Sequence, residues 1–343
     1  MNIIFTKCNF FNALSFFVKN LVVIFILMSY LLLSGCGNNK SDNYSKADNK
    51  NSTVTTAVDN NTITGDTTKT GTEDLESIDI YADNNFDVPD GYLGQIEGRQ
   101  YGETTQIEYY STVAHKYKQA EIILPYGYNT SQTYPVLYLL HGMSGDYRNW
   151  GVMGAEYIVQ NAHYDYNTPD MIIVCPTVFT SQEYDSEDGL SFNVLTAQYD
   201  KFIDELENNL MPIINNNYSV KTGKDNTAIA GYSLGGREAS YIGFKYPTQF
   251  GYIGAFSATN GIFKDESWAD AVLKDYDYSK LKDNYKLLLY QVGTEDPFID
   301  GVREFKQLFD EQHIKYMYYE MPGGHEGAVW QHGLYNFARR LFY

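Results

Sequence analysis

The sequence predicts an α/β domain in three layers (α/β/α), with a mostly parallel central sheet and helices on both faces. Three observations predict it. Continuous apolar runs of strand length recur along the chain, as at 135–140 (PVLYLL) and 171–175 (MIIVC). Such runs fit strands buried on both faces of a parallel sheet. Between them lie segments with apolar residues at steps of three and four, the mark of one buried helical face. Finally, Gly231-Tyr232-Ser233-Leu234-Gly235 matches G-x-S-x-G and joins one of those runs to one of those helical segments. In such sheets the reactive groups gather at the carboxyl ends of the strands.

At the N-terminus, residues 1–20 carry Lys7 and Lys19 and no acid, and the uncharged apolar run 21–33 (LVVIFILMSYLLL) follows. A membrane span needs about 20 apolar residues, so this shorter run is predicted to be the core of a signal peptide. Leu33-Ser34-Gly35-Cys36 and the polar stretch behind it resemble a bacterial lipobox. That implies acylation of Cys36 as the first residue of the mature chain, with the folded part outside the cytoplasm and anchored to the cell membrane through the lipid. A plain cleaved signal or an uncleaved anchor is the alternative. Residues 37–78 are Asn, Ser, Thr, Asp and Lys with hardly a large apolar side chain. They cannot bury enough surface to offset the entropy of ordering, and a flexible tether is expected.

From 79 the composition turns globular, and 79–343 reads as one domain without internal repeats. The stretches 104–113 and 119–124 are short, β-branched and aromatic, as strands are. Further strands are expected at 135–140, 171–175, 227–230 (TAIA), 287–292 (LLLYQV) and 315–320. Helices are expected at 149–161, 235–246, 300–312 and 327–341. Another is marked by Phe202, Ile203, Leu206, Leu210, Ile213 and Ile214.

The composition narrows the function. With 343 residues and 43% hydrophobic content, the chain can build one large domain with a sizeable core. A net charge of −18, from 25 basic against 43 acidic residues, excludes nucleic acid as a partner, because a phosphate backbone demands clustered Lys and Arg. Tyrosine is abundant at 32 copies. Exposed rings can stack on sugars, although most tyrosines pack with the hydroxyl at the rim. Of the three cysteines, Cys8 is expected to leave with the signal and Cys36 to carry lipid. Cys175 remains in an apolar run as a small buried hydrophobe, so no intrachain disulfide is expected.

A serine on a sharp turn between strand and helix needs glycines beside it, since backbone and helix approach too closely for a Cβ. Ser233 is therefore the candidate nucleophile. Its hydroxyl needs a base, usually His, oriented by a carboxylate. In this topology the order along the chain is Ser, acid, His. His313 lies near the end of a predicted helix and His332 within the last one. His325 sits in the glycine-rich loop Met321-Pro322-Gly323-Gly324-His325-Glu326 and is the candidate base, with His332 in reserve. Past the strand 287–292 comes Gly293-Thr294-Glu295-Asp296-Pro297, where Asp296 is the candidate acid. Glu295 and Asp300 are the alternatives, with helix capping as their structural role. An oxyanion needs two N–H donors. One is assigned to the Leu234 amide and the other to Met143 in the loop His141-Gly142-Met143-Ser144-Gly145, with Gly142 and Ser144 as neighbouring choices. His141 is expected to bond the backbone of its own loop.

Four stretches, LYLLHGMSGDYRNW (137–150), AIAGYSLGGREASYIGFKYPTQFGYIGAFS (228–257), GTEDPF (293–298) and GGHEGAVWQHGLYNF (323–337), together resemble the esterase D group. Within it they are most similar to the feruloyl and acetyl-xylan esterase domains of bacterial xylanases, the first carbohydrate-esterase family. The similarity runs from 94 to 343. It implies an α/β-hydrolase fold and an acyl-enzyme mechanism without metal or cofactor. The implied triad falls on Ser233, Asp296 and His325, and the implied oxyanion donors on Leu234 and Met143. The implied substrate is an ester-bearing small molecule or polysaccharide, with feruloyl or acetyl groups on xylan foremost. One departure stands out: the family often follows its histidine with Asp and then an aromatic, whereas here Glu326 is followed by Gly327 and Ala328. Those positions are expected to line the acyl side. The partner modules usual in xylanases are not read in this sequence. Three rival readings remain: an S-formylglutathione hydrolase, which the export signal disfavours; a mycolyl- or acyltransferase passing the acyl group to a sugar; and a surface-binding lipoprotein using the fold as a scaffold, which an intact triad argues against.

Overall fold

The computed structural model describes residues 80–343; the predicted signal with Cys36 and the tether 37–78 lie outside them. Among the described residues one sheet contains β1 (Thr104–Ser111), β2 (Lys116–Ile123), β3 (Val136–Leu140), β4 (Ile172–Pro176), β5 (Thr227–Tyr232), β6 (Tyr252–Phe256), β7 (Leu287–Gly293) and β8 (Met317–Met321). The order across it is β1-β2-β4-β3-β5-β6-β7-β8. β2 runs antiparallel to β1 and to β4. From β4 through β8 every pairing is parallel. Strands β3 to β7 are buried along their whole length, and this is why they stand out as unbroken apolar runs.

The α-helices among the described residues are α1 (Asn149–Val152), α2 (Ala155–Tyr166), α3 (Phe192–Tyr199), α4 (Phe202–Glu205), α5 (Met211–Asn217), α6 (Leu234–Lys245), α7 (Ile299–Gln312) and α8 (Gly327–Ala338). Alternate strand residues feed two cores. Tyr138 and Ile229 face Ile214 of α5, Ile242 and Phe244 of α6 and Phe305 and Phe309 of α7. Leu139 and Ala230 face Ile158 and Val159 of α2 and Leu334 and Phe337 of α8. The predicted three-layer architecture is the one observed.

The helix α3 was not expected from the sequence, and three further details differ from that reading. The helix expected over 149–161 is two, α1 and α2, separated at Gly154, whose φ of +78° is a conformation that L side chains rarely adopt. The periodic stretch 202–214 is not one regular helix: α4 and α5 are joined by a π-helical turn, Leu206–Leu210. Pro212 stands in the first turn of α5, where it has no N–H to close an α-type bond back onto Asn208. The third is β6, which was not predicted as a strand. Gly254 at its centre is a poor strand former. Yet a Cβ there would lie 2.9 Å from the Ala230 Cβ and 3.0 Å from the Phe337 ring, so glycine is what lets α8 seat against the sheet.

Candidate active site

Ser233 stands between β5 and α6 with φ 55° and ψ −125°. Such a conformation costs roughly 1–3 kcal/mol for a residue with a Cβ and persists only where its surroundings enforce it. Here they do. The Ser233 amide donates to the Phe256 carbonyl at 3.0 Å, and its own carbonyl accepts from Arg237 at 3.1 Å and Thr259 at 3.3 Å. A Cβ on Gly231 would collide with the Gly235 carbonyl, and one on Gly235 with the carbonyls of Leu140 and His141. The glycine spacing is thus a packing requirement of this turn. Leu234 opens α6, so its N–H is among the helix's unsatisfied donors at the positive end of the dipole.

Asp296 and His325 come from the loops after β7 and β8, which are tied together by bonds from the Thr294 amide to the Met321 carbonyl (2.8 Å) and from the Glu295 amide to the Gly323 carbonyl (2.9 Å). His325 Nδ1 lies 3.0 Å from Asp296 Oδ2, and the Phe298 amide donates to Asp296 Oδ1 at 2.8 Å. The Asp296 side chain is wholly buried. With Nδ1 turned to Asp296, Nε2 is the ring nitrogen that faces away from the carboxylate. The imidazole packs edge-on against Phe298 and Trp330, with centroids at 4.9 and 5.1 Å. Trp330 in turn stacks on Tyr232 at 4.0 Å, the residue before Ser233. The histidine and the serine are therefore fixed to the same aromatic column.

The alternatives stand elsewhere. Glu295 and Asp300 are exposed, and Asp300 lies 3.8 Å from Arg303. His313 is exposed at the end of α7. His332 is bound at 3.0 Å to the Tyr319 hydroxyl between α8 and β8.

The loop after β3 lies against the nucleophile: a Cβ on Gly142 would sit 2.8 Å from the Ser233 Cβ. The Val178 amide donates to His141 Nε2 at 2.8 Å, so the ring proton is on Nδ1, which donates to the Gly142 carbonyl at 2.7 Å. His141 thus bonds its loop backbone, as expected. Among the loop amides, Gly145 donates to the Gly142 carbonyl (3.1 Å) and Ser144 to Glu187 Oε2 (2.8 Å). Among the described residues no hydrogen bond takes the Met143 amide. Ser144 has φ 61°, a second strained residue at this edge.

Burial pushes the pKa of His141 down from 6.5 to about 4. Between those values the unfolded chain holds the extra proton, so this residue's contribution is complete above pH 6.5 and is lost as pH falls towards 4. We expect thermal stability to drop over that window. His141→Gln should flatten the drop, measured as Tm at pH 7 and pH 4.5; an unchanged profile would discard this account.

Some residues around the site were not read from the sequence. Glu187 and Tyr199 buttress the loop after β3, and buried Arg237 donates to the carbonyls of Asn260 and Gly261 (3.1 and 3.0 Å) while pairing with Asp200 and Glu238. Only tertiary contact reveals them. Cys175 is buried with its thiol pKa pushed up, as befits an inert cysteine. Glu326 is exposed and accepts from the Gly324 amide at 3.2 Å; at Gly327 an added Cβ would meet Met153 Sδ at 3.6 Å.

The chain is similar to known proteins. The putative-esterase family matches residues 111–341. An endo-1,4-beta-xylanase/feruloyl esterase of Xylanibacter ruminicola is 34% identical over 164 residues, covering 46% of this chain and 22% of that protein. The chain thus spans only about a fifth of that curated relative. Among solved structures, a CE1 ferulic acid esterase from Anaeromyces mucronatus in complex with ferulic acid superposes with a TM-score of 0.68 at 28% identity, over 75% of this chain and 97% of that one. The feruloyl esterase module from Clostridium thermocellum complexed with sinapinate shares the fold, with a TM-score of 0.58 at 17% identity over 75% and 93% of the two chains. Because the family match spans well over half of the sequence and takes in β3, the serine turn and both loops that hold Asp296 and His325, the chain belongs to the esterase family.

Proposed function

We propose that the chain is a serine carboxylic-ester hydrolase that releases feruloyl groups from plant cell-wall polysaccharide through an acyl-enzyme. The observation that carries this reading is the His325–Asp296 hydrogen bond at 3.0 Å beside a strained serine turn. In the proposed cycle His325 Nε2 takes the proton from Ser233 as Oγ attacks the ester carbonyl. The amides of Leu234 and Met143 hold the oxyanion. The alcohol leaves with the proton from His325, and water then releases the acid by the same route. Asp296 keeps the His325 proton on Nδ1 and stabilises the imidazolium. Feruloyl is preferred over acetyl on one ground. The Anaeromyces and Xylanibacter relatives are named for ferulic acid.

The test is a comparison of rates on methyl ferulate and on acetylated xylan. Methyl ferulate should be the faster. If neither is cleaved while a generic aryl acetate is, the plant-polysaccharide reading falls. We further propose that the enzyme works outside the cytoplasm, lipid-anchored through Cys36, a residue outside those described. Cys36→Ala should move the activity from the membrane fraction to the soluble one; retention in the membrane fraction rejects the anchor.

A further inference from the structure

Glu187 lies in the connection between β4 and α3, on no motif and outside the triad. Its Oε2 accepts the Ser144 amide at 2.8 Å, and its Oε1 lies 2.8 Å from the Tyr199 hydroxyl. That hydroxyl is also 2.9 Å from the Gly142 carbonyl, and Tyr199 is fully buried. Carboxylate and phenol therefore clamp both sides of Met143 from outside the loop. The clamp sits where the backbone is least willing, because Ser144 holds a left-handed φ of 61° without being glycine. An amide bonded to a carboxylate is a charge-assisted bond, among the stronger ones available to hold such a turn. What the turn carries is the Met143 amide, on a loop whose Gly142 abuts Ser233.

We propose that Glu187, with Tyr199, is a positioning residue for oxyanion stabilisation: by binding the Ser144 amide it fixes the left-handed turn that aims the Met143 N–H at the attacked carbonyl oxygen. The inference rests on the hydrolase reading above. It separates Glu187 from an ordinary loop staple, because a staple changes stability, whereas a misaimed donor weakens binding of the transition state and not of the substrate.

The full-length enzyme is compared with Glu187→Ala and Tyr199→Phe on methyl ferulate and 4-nitrophenyl acetate. Inhibition by phenylboronic acid, whose tetrahedral serine adduct places an oxygen at the oxyanion position, is measured alongside. Outright loss of one oxyanion donor costs about 10²–10³-fold in kcat. Misaiming one should cost less, so kcat of Glu187→Ala should fall roughly 10–100-fold on both esters with KM within about threefold, and the boronate Ki should rise by a similar factor. Tyr199→Phe should show the same split at smaller size. It loses only a hydroxyl and carries the test if Glu187→Ala fails to fold. A lowered Tm with unchanged kcat and unchanged boronate Ki overturns the proposal. So does a change confined to KM. Either result with an active wild-type enzyme sinks this inference alone, whereas a wild type that cleaves neither ester and ignores the boronate sinks the hydrolase reading itself.

Discussion

Replacing Ser233 with alanine is expected to lower kcat on methyl ferulate by about 10⁵–10⁶-fold, the scale on which loss of a triad nucleophile acts, while the domain stays folded. The reason lies in what holds the turn. All three bonds that pin residue 233, to Phe256, Arg237 and Thr259, are backbone bonds, and alanine keeps every one of them. The φ of 55° is as unfavourable for alanine as for serine, so the strain neither rises nor falls. The glycine contacts of Gly231 and Gly235 and the loop contact of Gly142 do not depend on Oγ. Only the nucleophilic atom is lost, and Tm should therefore stay within a few degrees of wild type. Labelling with a fluorophosphonate should disappear together with turnover. A purified Ser233→Ala protein with wild-type turnover would sink the assignment, and a wild-type protein that forms no adduct would favour the surface-binding reading.

How much of this was legible beforehand follows from what leaves a local trace. Strands β3, β4, β5 and β7 showed because both faces are buried, leaving no polar alternation to confuse them with an edge. β6 is just as buried, but its central Gly254 answers to the Phe337 ring across the sheet, and that pressure has no signature within five residues. The π turn at 206–210 hid inside an apolar period that fits an ordinary helix equally well. In the site, Ser233 was marked by neighbours that must be glycine, and Asp296 and His325 by their places at strand ends in a fixed order. Glu187 and Tyr199 meet the loop after β3 across 43 and 57 residues of sequence. Neither sits on a periodic face pointing there, so only the folded chain brings them into view. The same holds for Arg237, whose carbonyl partners follow β6, the strand that was not foreseen.

The second large effect should come from Asp296→Asn, with kcat falling about 10⁴-fold and KM little changed. The two oxygens of Asp296 have different duties: Oδ1 accepts the Phe298 amide and Oδ2 faces His325 Nδ1. Asparagine offers one oxygen and one NH₂. If the oxygen keeps Phe298, the NH₂ confronts Nδ1 and makes it an acceptor, which moves the imidazole proton to Nε2. A protonated Nε2 cannot take the proton from Ser233. If the amide turns over, its NH₂ faces the Phe298 N–H, two donors opposed at a residue only 2% exposed, and that burial makes the arrangement the costlier one. The first orientation should prevail, leaving a folded enzyme with the wrong tautomer. Neither of the alternative acids is placed to take over, because Glu295 and Asp300 are both exposed. Glu295→Gln and Asp300→Asn should accordingly keep kcat within about twofold of wild type, as substitutions at exposed positions usually do. If Asp296→Asn retains a tenth of the wild-type kcat, or if either exposed variant loses activity on the scale expected for Asp296, the carboxylate that orients His325 has been misassigned.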